Sequence, residues 1–218
     1  MTSILIVGVG GQGTLLASKV IGRLALNRGL DVKVSEVHGM SQRGGSVVTY
    51  VRYGERVRSP LVEPGGADIL IACELLEAAR WLPYLKPGGA VAASGQRIMP
   101  MPVITGAAEY PGEAAGAVRA ACSGAAFIDA LAIAEECGER RAANIATLGA
   151  ASRYMQFAEE EWREAIKAVT PPRALEANLC AFMRGAGAGA DAGADAGAGA
   201  GADAGGAPQR GAGADGAL

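Results

Sequence analysis

The chain is poor in the side chains that most often do chemistry. Its 218 residues include a single histidine, His38, and only 5% aromatics: three Phe, two Trp and five Tyr. One histidine and no clustered acids argue against a zinc site. A Ser–His–acid hydrolase would have to use that same histidine, and no nucleophile-elbow sequence accompanies it. With so few rings, a chain that is 50% hydrophobic must build its core from Ala, Val, Leu and Ile. The four cysteines, Cys73, Cys122, Cys137 and Cys180, form no CxxC pair. That spacing matches neither a zinc or redox motif nor iron–sulfur ligation. Scattered thiols in a chain of this kind are expected to be reduced, buried and cytoplasmic.

Long apolar runs and one-sided charge are also missing. Residues 1–18 carry no charge, but they have no basic leader, and Gly8, Gly10, Gly11 and Gly13 interrupt them. A strand and a turn are expected there, with no membrane association. Net charge is −2. Residues 185–218 hold four Asp and one Arg, or −3, so residues 1–184 carry −2 − (−3) = +1. Nothing in that balance suggests nucleic acid as a partner.

What is present alternates between two periods. SILIV at 3–7 is an apolar run ended by glycines and reads as a buried, parallel strand. From Thr14 to Arg28 the period becomes helical, with Leu16, Val20 and Leu24 on one stripe and Gly29 placed to cap the end. Strands are expected at 31–37, 46–53, 67–73, 90–94 and 125–128, with a short hairpin arm over 54–61. A helix should run from 74 to Trp81 and another over 112–121. Helices over 129–137, 143–157, 158–169 and 172–184 should form the C-terminal part, broken at Pro171–Pro172. The result is an α/β, three-layer Rossmann-like domain over 1–184 with a mostly parallel sheet. Of residues 185–218, 12 are Gly and 14 are Ala. Such a low-complexity tail buries too little surface to offset its ordering entropy and is expected to be disordered.

Two glycine-rich loops carry the functional signal. Gly8-Val9-Gly10-Gly11-Gln12-Gly13 satisfies G-x-G-x-x-G between a strand and a helix, and Glu36 lies 23 residues beyond Gly13. Two readings stand: a dinucleotide site, with the acid on a ribose, or a tight strand-to-helix turn. Against an ordinary NAD site, the residues after Glu36 are not those of a crossover helix. They are His38-Gly39-Met40-Ser41-Gln42-Arg43-Gly44-Gly45. Both loops should project from the carboxyl edge of the sheet and lie side by side. Arg43 either forks onto a carboxylate or phosphate or pairs with Glu36. His38 either titrates and hydrogen-bonds or is a satisfied structural histidine. No catalytic set completes itself, so these loops read as binding elements.

IVGVGGQG at 6–13 and SEVHGMSQRGGSVVTYVR at 35–52 resemble the gamma-type domain of 2-oxoacid:ferredoxin oxidoreductases. ADILIACELLEAAR at 67–80, LKPGG at 85–89 and NIATLGA at 144–150 extend the likeness over 1–184. Having His38-Gly39-Met40 before Arg43-Gly44-Gly45 places the resemblance in the indolepyruvate branch. A subunit acting on pyruvate or a branched-chain oxoacid, or an NAD(P)-linked oxidoreductase, stands as an alternative. The resemblance implies a subunit, inactive alone, of a heteromer that oxidatively decarboxylates an arylpyruvate to the acyl-CoA and reduces ferredoxin. It implies that thiamine diphosphate, magnesium and the Fe-S clusters sit on a large (alpha) partner subunit and that the complex uses coenzyme A. The loops are then partner-facing, and self-association is expected when the chain is made alone.

Overall fold

The computed structural model describes residues 1–38 and 44–199, apart from the side chains of residue 38 and residues 191–199. Six strands form one sheet: β1 (Thr2–Val9), β2 (Asp31–His38), β3 (Ser46–Gly54), β4 (Ala67–Ala72), β5 (Leu85–Ser94) and β6 (Ala126–Ile128). Their order is β2-β3-β1-β4-β5-β6. β1, β4, β5 and β6 are parallel neighbours. β3 alone runs against the others, pairing antiparallel with both β1 and β2. The sheet is therefore mostly parallel, as expected, with one reversed strand inserted beside its centre.

β1 is buried along nearly its whole length because it has a strand on each side and a layer on each face. Alternation splits its side chains between two cores. Ile4 and Ile6 join the core shared with α1 (Thr14–Asn27), α5 (Ala130–Glu136), α6 (Ala143–Ser152), α7 (Glu159–Val169) and α8 (Pro172–Gly199). Leu5 and Val7 join a smaller core with Val62, with Ala78 of α2 (Leu75–Arg80) and with Val118 of α4 (Ala114–Ala121). Each such fully buried aliphatic side chain contributes roughly 1.5–3 kcal/mol relative to exposure. Tyr53, Phe157, Trp162 and Phe182 meet in the larger core, where Trp162 is edge-on to Phe157 and tilted against Phe182 at centroid separations of 5.9 and 5.0 Å.

The end of α1 forms as its sequence dictates. Gly29 adopts φ 71°, its N–H reaches Leu26 O, and the Leu30 N–H reaches Ala25 O, the paired bonds of a Schellman cap. Arg28, at that cap, forks onto Glu161 of α7 and lies 4.4 Å from the Phe157 centroid. The Glu161 carboxyl is held down at about 2, first by that hydrogen bond and then by the Ala158 N–H.

Several expectations need correction. No strand forms over 55–61, so the hairpin arm expected over 54–61 is absent. Pro60 and Pro64 remove ladder donors, and side chains pin the segment instead. Asp31 accepts from Val57 N at 2.8 Å, and Arg52 donates to Leu61 O at 2.9 Å. The strand expected at 90–94 begins earlier, at Leu85, and Lys86–Gly89 lie within β5 as a register break, where Ala67 faces Leu85 but Ile69 already faces Ala90. The helix expected over 143–157 stops at Ser152. Residues 96–112 contain only a short helix, α3 (Met101–Ile104).

Two corrections concern composition. Cys137 and Cys180, expected as reduced thiols, are joined in a disulfide. They are 43 residues apart, but α5 ends where α8 passes, which brings their Cα atoms to 5.8 Å. Secondly, the low-complexity character expected from residue 185 begins inside a helix: α8 continues through Gly199. Gly185 and Gly189 are packing residues. A Cβ on Gly185 would strike the Ala146 carbonyl, one on Gly189 would lie 2.7 Å from Ala150 Cα, and one on Gly149 would strike the Phe182 carbonyl. Glycine on both α6 and α8 lets the two backbones touch. Residues 200–218 lie outside the described residues.

Candidate functional site at the carboxyl edge of the sheet

The carboxyl ends of β1, β2 and β4 and the start of β3 meet at one rim. α1 leaves β1 on one face of the sheet and α2 leaves β4 on the other, which opens the crevice typical of such a divergence. Gly8 to Gly13 turn at this rim. Gly11 and Gly13 have φ of 106° and 78°, values that L side chains rarely adopt. The second loop lies against the first: Gly10 N donates to Gly45 O at 2.8 Å, and Gly44 N approaches Gly10 O at 3.5 Å. The two glycine loops are thus neighbours at the described end of the second. His38 closes β2 opposite Val47. Its side chain, and Gly39, Met40, Ser41, Gln42 and Arg43, lie outside the described residues, and so does any Arg43–Glu36 pair.

Gln12 points inward. Its Oε1 accepts from Val9 N at 2.8 Å, while its Nε2 donates to Cys73 O at 2.9 Å and to Gln96 Oε1 at 3.0 Å. The side chain so occupies the space above Gly8, where a Cβ would lie 2.8 Å from Gln12 Oε1. Part of what glycine provides here is room for the loop's own glutamine. Asn144, at the start of α6, braces the loop from the other side by donating to Gly13 O at 2.6 Å. Glu36 accepts from the buried Thr14 hydroxyl at 3.0 Å and faces Thr49 Oγ1 at 3.5 Å. That tie joins β2 to the first turn of α1.

On the opposite face, two buried acids that sequence reasoning passed over organise the rim. Glu74 caps α2 by accepting from Glu77 N at 2.8 Å. It also accepts from Ile98 N at 3.1 Å and from the Tyr110 hydroxyl at 2.8 Å, which anchors the segment after β5. Burial, then the Glu74 hydrogen bond and charge, push the Tyr110 phenol well above its ordinary range. Glu77 accepts from Ser46 Oγ, from Arg80 at 3.0 Å and from Trp81 Nε1 at 3.3 Å. Both acids lie within the ADILIACELLEAAR stretch, but helical spacing alone gives them no partners. The segment they anchor holds Met99, Met101 and Ile104, which are 45, 64 and 64% exposed.

Besides a cleft of about 300 Å³ lined by Gly10, Gly11, Gly13, Thr14 and Glu36, the rim opens into two more. One, of about 370 Å³, is lined by Gly11, Gln12, Gln96, Asn144, Arg140 and Arg141. The other, of about 430 Å³, lies between Gly44–Gly45 and the Met99–Ile104 segment. Neither presents an activated nucleophile. Burial pushes the Cys73 thiol up to about 12, so it stays protonated at neutral pH. Among the described residues no group of three or more His, Cys, Asp or Glu side chains is placed to hold a metal ion. The arrangement offers shape, backbone polarity and two arginines, and so it can bind and position.

The fold and the first glycine loop define a Rossmann-like α/β domain with a glycine-rich turn at the carboxyl edge of its sheet. Residues 3–188 match the family described as pyruvate ferredoxin/flavodoxin oxidoreductase, and the chain belongs to that family. The indolepyruvate oxidoreductase subunit IorB of Thermococcus kodakarensis is 41% identical over 188 residues, covering 84% of this chain and 93% of that one. The protein of the same name from Methanothermobacter thermautotrophicus is 35% identical over 200 residues, covering 87% and 98%. Among solved structures, the gamma subunit of a keto/oxoacid ferredoxin oxidoreductase from Geobacter sulfurreducens superimposes with a TM-score of 0.64. It is 21% identical and covers 88% of this chain and 99% of that one. The 2-oxoglutarate:ferredoxin oxidoreductase of Magnetococcus marinus gives 0.64 at 22% identity, covering 87% of this chain and 31% of that one. The fold agrees with expectation, and family membership replaces the NAD(P)-linked reading.

Proposed function

We propose that this chain is the small subunit of an indolepyruvate-type 2-oxoacid:ferredoxin oxidoreductase. The complex converts an arylpyruvate and coenzyme A to the arylacetyl-CoA and carbon dioxide, and the electrons leave on ferredoxin. The large subunit holds thiamine diphosphate with magnesium and the iron–sulfur clusters, which supply decarboxylation and electron transfer when bound. The small subunit presents the rim formed by residues 8–13 and 38–45 to that partner. The cytoplasm, where reduced ferredoxin is used, is the corresponding compartment. Residues 1–184, with the continuation of α8 that packs on α6, form the functional domain.

The observation that supports this reading best is the backbone pairing of Gly10 with Gly44 and Gly45. It joins the two loops that resemble the family into one surface, in a chain whose relatives are named as indolepyruvate oxidoreductase subunits. In this reading Gln12, Asn144 and Glu36 keep that surface in shape. His38, Gln42 and Arg43 supply its polar contacts, with Arg43 on a partner carboxylate or a coenzyme A phosphate. Made alone, the subunit is expected to self-associate through exposed Met99, Met101 and Ile104.

The test is co-expression with the large subunit, co-purification, and arylpyruvate-dependent reduction of ferredoxin. Arg43→Ala should lower turnover or assembly at least tenfold, the cost of about 1.4 kcal/mol in one charge-assisted contact. The isolated subunit should keep its melting temperature. Turnover and co-purification unchanged by the substitution, or turnover of arylpyruvate by this chain without a companion, would overturn the proposal.

A further inference from the structure

The disulfide-bonded Cys137 directly precedes the segment that carries Arg140 and Arg141 to the cleft of about 370 Å³. Cys137 caps the C-terminal end of α5, and Cys180 sits in α8. Between Cys137 and α6, the short segment 138–142 forms one wall of the cleft and carries Arg140 and Arg141 to its mouth. Its own bonds are local. Gly138 N reaches Glu135 O, Glu139 N reaches Ala134 O, Arg141 N reaches the Glu139 carboxylate, and Arg140 pairs with Glu135. No polar bond ties residues 138–141 to a distant element among the described residues. The covalent and ionic tethers to α8 are the Cys137–Cys180 bond and, beside it, an ion pair between Arg184 and Glu136, while Ala142 anchors the far end of the segment in the larger core.

The remaining cysteines are free thiols. Cys73 is buried and its thiol is held protonated. Cys122 directs its thiol at Gly89 O at 3.5 Å. Both bonded cysteines are only partly buried, near the surface of the larger core, and such a bond is open to exchange with a small dithiol.

We propose that Cys137 and Cys180 form a reversible redox latch that fixes the Arg140–Arg141 wall of the cleft to α8. A dithiol reductant opens it. One thiolate attacks a protein sulfur and breaks the S–S bond, and a mixed disulfide forms. The second thiol of the reductant then displaces the protein thiolate. The chain gains two electrons and two protons as a pair of thiols, and the reductant leaves as its own disulfide. A disulfide oxidant closes the latch by the reverse exchange. Opening loosens residues 138–142, while the sheet and α1, held by the buried core, stay as they are.

The experiment uses the full chain and needs no partner. Protein oxidised with diamide and protein reduced with dithiothreitol are each denatured, alkylated and weighed. Before denaturation, each is followed by hydrogen exchange. The oxidised chain should take two alkyl groups, on Cys73 and Cys122, and the reduced chain four. Exchange over 138–142 should rise by about tenfold on reduction, a local opening, with β1 and α1 unchanged. Cys137→Ser should exchange like the reduced protein and ignore the reductant. Four alkyl groups on the oxidised chain, or equal exchange over 138–142 in both states, would overturn the latch. Because wild-type protein supplies the main comparison, a variant that fails to fold does not leave the question open.

Discussion

Glycine is concentrated at two ends of this molecule, in the 8–13 loop and along α8, and it acts differently in each. In the loop the need is conformational: Gly11 and Gly13 hold positive φ, and a side chain at Gly8 would displace Gln12. In α8 the backbone is ordinary helix, and the need is proximity, since Gly185 and Gly189 let it rest on α6. The first kind shapes a surface offered outward. The second closes the core beneath it. The same residue type therefore predicts nothing until one knows whether it is the backbone or the neighbour that forbids a side chain.

Substitutions can test that distinction. The largest effect is expected from Gly149→Val, which drives a branched side chain into the Phe182 carbonyl. Loss of about 3 kcal/mol, read from denaturant unfolding, would fit overpacking at a helix contact that cannot part without opening the core. A near-neutral result would mean that α8 lifts away easily. Gly13→Ala should cost less, about 1–2 kcal/mol for the left-handed conformation, plus an adjustment by Asn144, whose Nδ2 lies 2.5 Å from the new Cβ. Its signature is that activity of the assembled complex falls more than stability does. Equal losses would deny the loop a role at the surface. The smallest effect should come from Gly187→Ala. Nothing lies within 4 Å of a Cβ there. The chain should gain roughly 0.5–1 kcal/mol from helix propensity, visible as a small rise in the denaturation midpoint.

Much of the fold could be read from local pattern, because period and glycine punctuation are local properties. SILIV, DVKVSEV and SVVTYVRY became β1, β2 and β3 within a residue or so at each end, and Gly29 caps α1 as its position implies. The adjacency of the two glycine loops also followed, since both strands end at one edge. What could not be read is whatever depends on a partner far along the chain. Nothing near Cys137 announces Cys180, and nothing near Glu74 announces Tyr110 or Ile98. Gln12 looked like an outward contact residue, because its inward partners are Cys73 O and Gln96. In α8, composition suggested too little burial for order. The count of small residues hides that Gly185 and Gly189 fall one turn apart on the same face.

The reversed strand has a consequence of its own. Because β3 runs back beside β2, with His38 opposite Val47, the segment between them starts and finishes on the same rung of a ladder. Lengthening or shortening it would leave every strand in register. A lineage could thus refit this subunit to a larger or smaller companion by editing a few codons there, without renegotiating the rest of the architecture.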